Sequence, residues 1–272
     1  MASKLFERAG GRRLSWEDGG NGPAIVLVHG SPGAARNWRD VRGRLEDRYR
    51  VVAPDMPGHG RSDPRPAASP PRTDDVADDV EALAASLGAP LLLVGHSYGG
   101  NVALQVALRG RVPVVGLVLF EPVALKVLAL LGDDAFAPTR AVFDDYVARV
   151  TGGEHRAVER MVDFWFGAGA FARMPEAVQG ALVAGAPANA LDVQASFNET
   201  HSREALAKLA YPVLTVYGSR SPQVSLRIAQ AVTACVPRGE LRTLEGGTHA
   251  MTATHAPAVA ELIGEMAGRC FA

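Results

Sequence analysis

Only two of the 272 residues are cysteines, Cys235 and Cys270, and their separation matches no metal or redox spacing. Free thiols in a reducing compartment are expected, not a disulfide. Neither charge is in excess: 28 Lys and Arg stand against 29 Asp and Glu, a formal net charge of −1. So even a balance gives no electrostatic footprint for nucleic acid or an anionic membrane. No apolar run reaches the roughly 18 residues of a membrane span, and Met1 to Arg8 lack the apolar core of a signal peptide. The expectation is a soluble, cytoplasmic protein with no membrane or nucleic-acid partner. Metal-ligand clusters, phosphate-binding loops and internal repeats are missing too, so no metal and no cofactor is expected. What is present, 47% hydrophobic and 21% charged residues, is ordinary globular composition. The length suits one large α/β domain or two small ones. Oligomeric state stays open, a homodimer included.

The apolar pattern alternates between strand and helix. Residues 3–17 read as two short strands around a Gly10-Gly11 turn. Buried strands follow at Ala24–Val28, Arg50–Asp55, 90–94 and Val114–Phe120. Helices are expected over 35–47, with Trp38, Val41 and Leu45 on one face, and from Thr73, a candidate cap, through the Val76, Val80, Leu83, Leu87 stripe. The Pro-rich stretch 64–72 reads as a surface loop. From about 123 to 206 the alternation stops and only helical spacing remains, as in Phe143, Tyr146, Val147, Val150 and in Val158, Met161, Val162, Trp165. Strands resume at Pro212–Tyr217 and near 240–244, with helices over 223–235 and 256–268. Such alternation implies a mostly parallel central sheet flanked by helices. The helical insertion implies a cap after strand six, dividing the chain into a core (1–122 and 207–272) and a cap (123–206), above the strand ends where such sheets bind ligands.

At the centre of the chain stands Leu91-Leu92-Leu93-Val94-Gly95-His96-Ser97-Tyr98-Gly99-Gly100. A Gly-x-Ser-x-Gly pentad between a strand and a helix is a nucleophile elbow: a turn too tight for side chains at Gly95 and Gly99, which lifts Ser97 at a helix N-terminus. The helix dipole and free N–H groups of the first turn then face any oxyanion formed there.

Three further motifs join it: His29-Gly30-x-Pro32, Asp55-x-Pro57-Gly58-His59-Gly60-x-Ser62, and Gly247-Thr248-His249. In this order and at these spacings the chain resembles the α/β-hydrolase fold superfamily along nearly its whole length. A serine needs a base within reach, and the resemblance implies His249, on a loop after the last strand. Most of this family carries an aspartate after strand seven, where this chain has Ser221 in Gly218-Ser219-Arg220-Ser221-Pro222. Serine holds no permanent charge with which to stabilise imidazolium. Glu121, at the end of the neighbouring strand six, is the expected substitute. This placement is similar to some haloalkane dehalogenases of the superfamily; Glu245 and Asp192 are rivals without a positional argument. The alternative for Glu121 is a strand-end carboxylate that faces solvent or pairs with an arginine. The family geometry implies backbone N–H donors at Ser31 and Tyr98 for an oxyanion hole. Trp38, Met161, Trp165, Phe197 and His201 are the expected pocket residues, although aromatic side chains at helical spacing often only pack. His29 and His59 belong to turn motifs, His96 fills the elbow, and His155 and His255 are expected in solvent.

The expectation is a cofactor-free serine hydrolase acting on small to medium apolar carboxylic esters through an acyl-enzyme. The Ser nucleophile argues against the epoxide hydrolase and dehalogenase branches, which use a carboxylate. A carbon–carbon bond hydrolase of the meta-cleavage-product type shares the serine, but the short His29–Gly33 loop departs from that group's longer Gly-rich one. Lactonase and perhydrolase activities are variations on the same site. A binding protein that kept the fold and lost the chemistry is the alternative from another class, favoured by Ser221 alone.

Overall fold

A run such as Leu91-Leu92-Leu93-Val94 has no polar face, so as a strand it needs cover on both sides. In the computed structural model, which describes residues 3–8, 11–65 and 69–272, it has that cover. Eight strands form one sheet: β1 (Lys4–Glu7), β2 (Arg13–Gly19), β3 (Ala24–Val28), β4 (Arg50–Pro54), β5 (Leu91–His96), β6 (Val114–Phe120), β7 (Val213–Gly218) and β8 (Gly239–Leu244). Their spatial order is β1-β2-β4-β3-β5-β6-β7-β8. The β1–β2 and β2–β4 pairs are antiparallel and every other pair is parallel. The chain steps outward from β3 to β4, then returns to place β5 on the other side of β3. That reversal opens a crevice at the carboxyl ends of β3 and β5, where sheets of this kind bind ligands. His29–Gly33 and the elbow leave the sheet at those two ends.

Successive strand residues serve opposite faces. Val26, Val28, Leu91, Leu93, Leu117 and Leu119 belong to one buried cluster; Ile25, Leu27, Leu92, Val94, Val118 and Phe120 belong to the other. The first face is covered by α2 (Thr73–Ser86), α3 (Tyr98–Arg109) and α9 (Gln223–Cys235), and the second by α1 (Arg39–Arg42) and α11 (Ala256–Cys270). Each fully buried Leu or Val contributes about 1.5–3 kcal/mol. Five helices intervene between β6 and β7: α4 (Leu125–Leu130), α5 (Phe136–Thr151), α6 (Val158–Phe166), α7 (Glu176–Phe197) and α8 (Arg203–Leu206). All of residues 123–206 are described, and no strand interrupts them. A short helix, α10 (Met251–Thr254), precedes α11. No described helix is long and apolar enough to cross a membrane.

Two local expectations need correction. The helix expected over 35–47 is a 3-10 turn, Ala35–Trp38, followed by the single turn α1, which ends at Gly43 and gives way to overlapping turns. Glycine is a poor helix continuer, and the Trp38, Val41, Leu45 stripe is buried all the same. Thr73 is the first residue of α2 and not its cap: the Arg72 N–H donates to the Asp75 carboxylate (3.0 Å), which frees the Thr73 hydroxyl to donate to Glu199. Gly10 of the expected Gly10-Gly11 turn lies outside the described residues, as does part of the 64–72 loop.

Candidate active site

Gly95 and Gly99 are required by space. A Cβ on Gly95 would fall 2.3 Å from the Gly99 carbonyl oxygen, and one on Gly99 would fall 2.2 Å from that of His29. Ser97, between them, has φ 53°, ψ −125°. A left-handed φ costs a non-glycine residue on the order of 1–3 kcal/mol, so neighbouring contacts must hold it. The Ser97 N–H donates to Phe120 O (3.0 Å) at the end of β6, and its carbonyl accepts from Gly100 N (2.9 Å). Among described non-glycine residues one other has positive φ: Glu121, at 43°. Its N–H donates to Val216 O of β7 (2.8 Å), which turns its side chain across the end of β7.

Glu121 and Ser97 meet at His249. The His249 Nδ1 lies 2.7 Å from Glu121 Oε2, and Nε2 lies 3.0 Å from Ser97 Oγ. A carboxylate only accepts, so Nδ1 carries the proton and Nε2 offers its lone pair to the Ser97 hydroxyl. Glu121 Oε1 accepts from Gly218 N (2.7 Å). Burial pushes the Glu121 carboxyl up, but the hydrogen bond and charge of His249, with the Gly218 N–H, outweigh it and hold it below the usual range. Ser221 Oγ is buried without a hydrogen-bond partner among the described residues.

Other rings hold the imidazole in place. Trp165 of α6 stacks on it, centroids 4.8 Å apart and planes 19° apart, and Phe166 meets it edge-on at 5.5 Å. His96, whose protonation is disfavoured by burial and by His249 beside it, donates from Nε2 to the His249 carbonyl (2.8 Å). Its elbow position gave no hint that it ties down the loop of His249.

A cavity of about 230 Å³ opens over Ser97 and His249. Gly30, Ser31 and Tyr98 form its floor beside Ser97, and most of the remaining wall is apolar. The backbone N–H groups of Ser31 and Tyr98 find no acceptor among the described residues. Met161, Trp165 and Phe197 line the cavity, as expected for pocket residues. Trp38 does not: it is buried against Phe120 (6.3 Å) and the edge of His96 (6.4 Å), and its neighbour Asn37 lines the cavity instead. Its place on the Val41, Leu45 face directs it into the core. His201 is absent from the lining too. Its ring is 4% exposed, beside Glu199 in a buried cluster reaching Asn101 and Thr73, because the chain has already left α7 and turned down past α3. His155 is exposed and His255 half-buried.

One part of the wall is polar. Asp192 and Asn189 of α7 border the cavity where Ser31 enters it. Asp192, a rival for the acid, does not reach His249: its oxygens accept from Ser31 Oγ (2.6 Å) and Arg65 Nη1 (2.8 Å). Burial raises its carboxyl above the usual range, against the pull of His59 and Arg65. Glu245 is exposed.

A model of the alpha/beta hydrolase family matches residues 25–262, from β3 into α11. The chain belongs to that family. Among relatives, a pimeloyl-[acyl-carrier protein] methyl ester esterase of Xanthomonas campestris is 30% identical over 258 residues, covering 90% of this chain and 94% of that one. The magnesium-chelatase 30 kDa subunit of Rhodobacter capsulatus is 29% identical over 244 residues, with 84% and 81% covered. Among solved structures, a bromoperoxidase from Bacillus anthracis superposes with a TM-score of 0.77 at 23% identity, over 98% of this chain and 100% of that one. An esterase from Exiguobacterium antarcticum does so at 0.74 and 20%, over 97% and 99%. At these identities the superpositions speak for the fold of the family.

Proposed function

We propose that this hydrolase is a cofactor-free serine carboxylesterase with Ser97 as nucleophile, His249 as general base and Glu121 as the acid that orients it. The observation that carries this reading is the unbroken relay from Ser97 Oγ (3.0 Å) through His249 to Glu121 (2.7 Å) beneath an apolar cavity. Ser97 attacks the ester carbonyl as its proton passes to His249 Nε2. Glu121 fixes the tautomer and stabilises the imidazolium. The oxyanion is met by the Ser31 and Tyr98 N–H groups, both without another acceptor. Return of the proton expels the alcohol, and water clears the acyl-enzyme by the same route.

A cavity of about 230 Å³ with mostly apolar walls suits small to medium acyl groups. That a relative sharing 90% of this chain is named a methyl ester esterase is in keeping with a carboxylic ester. Residues 123–206 act as a cap: α6 lays Trp165 on His249 and α7 forms the wall beside Ser31. The intact relay weighs against a fold that has lost its chemistry. Hydrolysis of a p-nitrophenyl ester series, beside one meta-cleavage dienoate, tests the proposal. Turnover of short and medium esters that Ser97→Ala lowers by about 10⁴-fold or more is the expected result. Undiminished turnover by Ser97→Ala, or cleavage of the dienoate alone, contradicts it.

A further inference from the structure

The Ser–His–Glu relay has no use for Asp192, yet this carboxyl is 1% exposed at the edge of the cavity. Burying such a group costs several kcal/mol unless it is paired, so its partners show what it holds. Arg65 Nη1 donates to Oδ1 (2.8 Å); Ser31 Oγ donates to Oδ2 (2.6 Å); His59 Nε2 stands 3.2 Å from Oδ2. Asn189, one turn earlier on α7, donates from Nδ2 to Ser31 Oγ (3.1 Å) and accepts from Tyr146 OH of α5 (2.7 Å). Helix α7 is thus bonded to the loop after β3, to the segment after β4 and, through Tyr146, to α5.

Two roles are open to a polar cluster in a cavity wall: to bind a polar group of the substrate, or to hold the wall in shape. Counting hydrogen bonds decides between them. A serine hydroxyl has one proton and two lone pairs. The Ser31 proton goes to Asp192, and Asn189 Nδ2 (3.1 Å) and His59 Nε2 (3.0 Å) complete the contacts of its oxygen. Nothing on Ser31 is left for a ligand. The cluster therefore holds Ser31, and in doing so it fixes the direction of the Ser31 backbone N–H, one of the two proposed oxyanion donors.

We infer that Asp192 and Asn189 are positioning residues for the oxyanion hole: the helical segment between β6 and β7 locks the Ser31 N–H in place, so the hole is complete only with that segment docked. This rests on the serine-hydrolase reading. A donor aimed at the oxyanion acts on the transition state more than on bound substrate, so loosening it lowers kcat and spares KM.

The test compares wild type, Asp192→Asn, Ser31→Ala and the double variant. It measures kcat and KM on the best p-nitrophenyl ester, and the Ki of a trifluoromethyl ketone whose hemiketal mimics the tetrahedral intermediate. Asp192→Asn should lower kcat by about 10- to 100-fold with KM within about threefold. Ketone affinity should fall in proportion to kcat. Ser31→Ala keeps the backbone N–H and leaves Asp192 paired with Arg65 and His59, so it tests the same link should Asp192→Asn fold poorly; a similar loss is expected. Both substitutions cut one link, so the double variant should be no worse than the poorer single one. Parental kcat in both single variants, or a raised KM with kcat and ketone affinity unchanged, overturns the inference while leaving the serine-hydrolase reading intact. A wild-type protein that hydrolyses no ester and takes no fluorophosphonate overturns both.

Discussion

Two buried glutamates, Glu121 and Glu199, respond oppositely to burial. Glu121, at the end of β6, is 1% exposed and held below the usual carboxyl range. Glu199, just beyond α7, is 6% exposed and pushed up to about 8 by burial. Both accept two hydrogen bonds: Glu121 from His249 and Gly218 N, Glu199 from the Thr73 hydroxyl (3.0 Å) and the Asn101 amide (2.9 Å). The difference lies in the histidine beside each. His249 bonds directly to Glu121 and can share a positive charge with it. His201 stands 3.9 Å from Glu199, beyond hydrogen-bond reach, with its own pKa lowered to about 4 by burial and by Lys126. At Glu199 two neutral donors do not outweigh burial; at Glu121 a partner that can become cationic does. The first setting favours the carboxylate, and the second favours the neutral acid.

The comparison can be broken from either side. Glu121→Gln removes the charge but keeps the shape, and kcat should fall by about 10²- to 10⁴-fold with little change in KM. Steady-state kinetics with parental kcat would remove Glu121 from the relay. Glu199→Gln should leave kcat alone and change stability instead. The unfolded chain releases the Glu199 proton near the ordinary value of 4.5, whereas the native chain keeps it until about 8. Between those values the native state binds more protons, so this group takes stability away as pH rises, and the loss levels off above about 8. Glutamine mimics the protonated acid, so Glu199→Gln should gain on wild type by a few kcal/mol, on the order of 10²-fold or more in the folding constant, between pH 5 and 8. Urea melts across that range that run parallel for the two proteins would contradict this. Trp165→Leu should lower kcat by about five- to tenfold, since an indole stacked on an imidazolium contributes about 1 kcal/mol. Unchanged kcat would make the stack simple packing. Ser221→Ala should be nearly silent, because Ser221 carries no charge and its Oγ has no hydrogen-bond partner among the described residues. A loss approaching that of Glu121→Gln would assign the family's usual position a role after all.

What could be read from the chain depended on how far each feature's cause lies from it in sequence. The sheet was legible because unbroken aliphatic runs such as Ala24–Val28 tolerate only a two-sided setting. The elbow was legible because backbone crowding at Gly95 and Gly99 admits no side chain. Glu121 was reached through a gap: a serine at 221 leaves the histidine short of a charge, and the adjacent strand end holds a carboxylate. Trp38 misled because periodicity identifies a buried face without saying whether core or cavity lies under it. His201 misled because nothing local fixes how the chain descends after α7. The Asp192 cluster was invisible, since Ser31 and Arg65 stand 161 and 127 positions away from it.

The proposed activation of Ser97 through His249 by Glu121 is open to fluorophosphonate labelling followed by peptide mass spectrometry, timed in wild type and in Glu121→Gln. One adduct is expected, on the peptide carrying Ser97, formed at least about 100-fold more slowly in Glu121→Gln. An adduct on another serine, or equal rates in the two proteins, would contradict it.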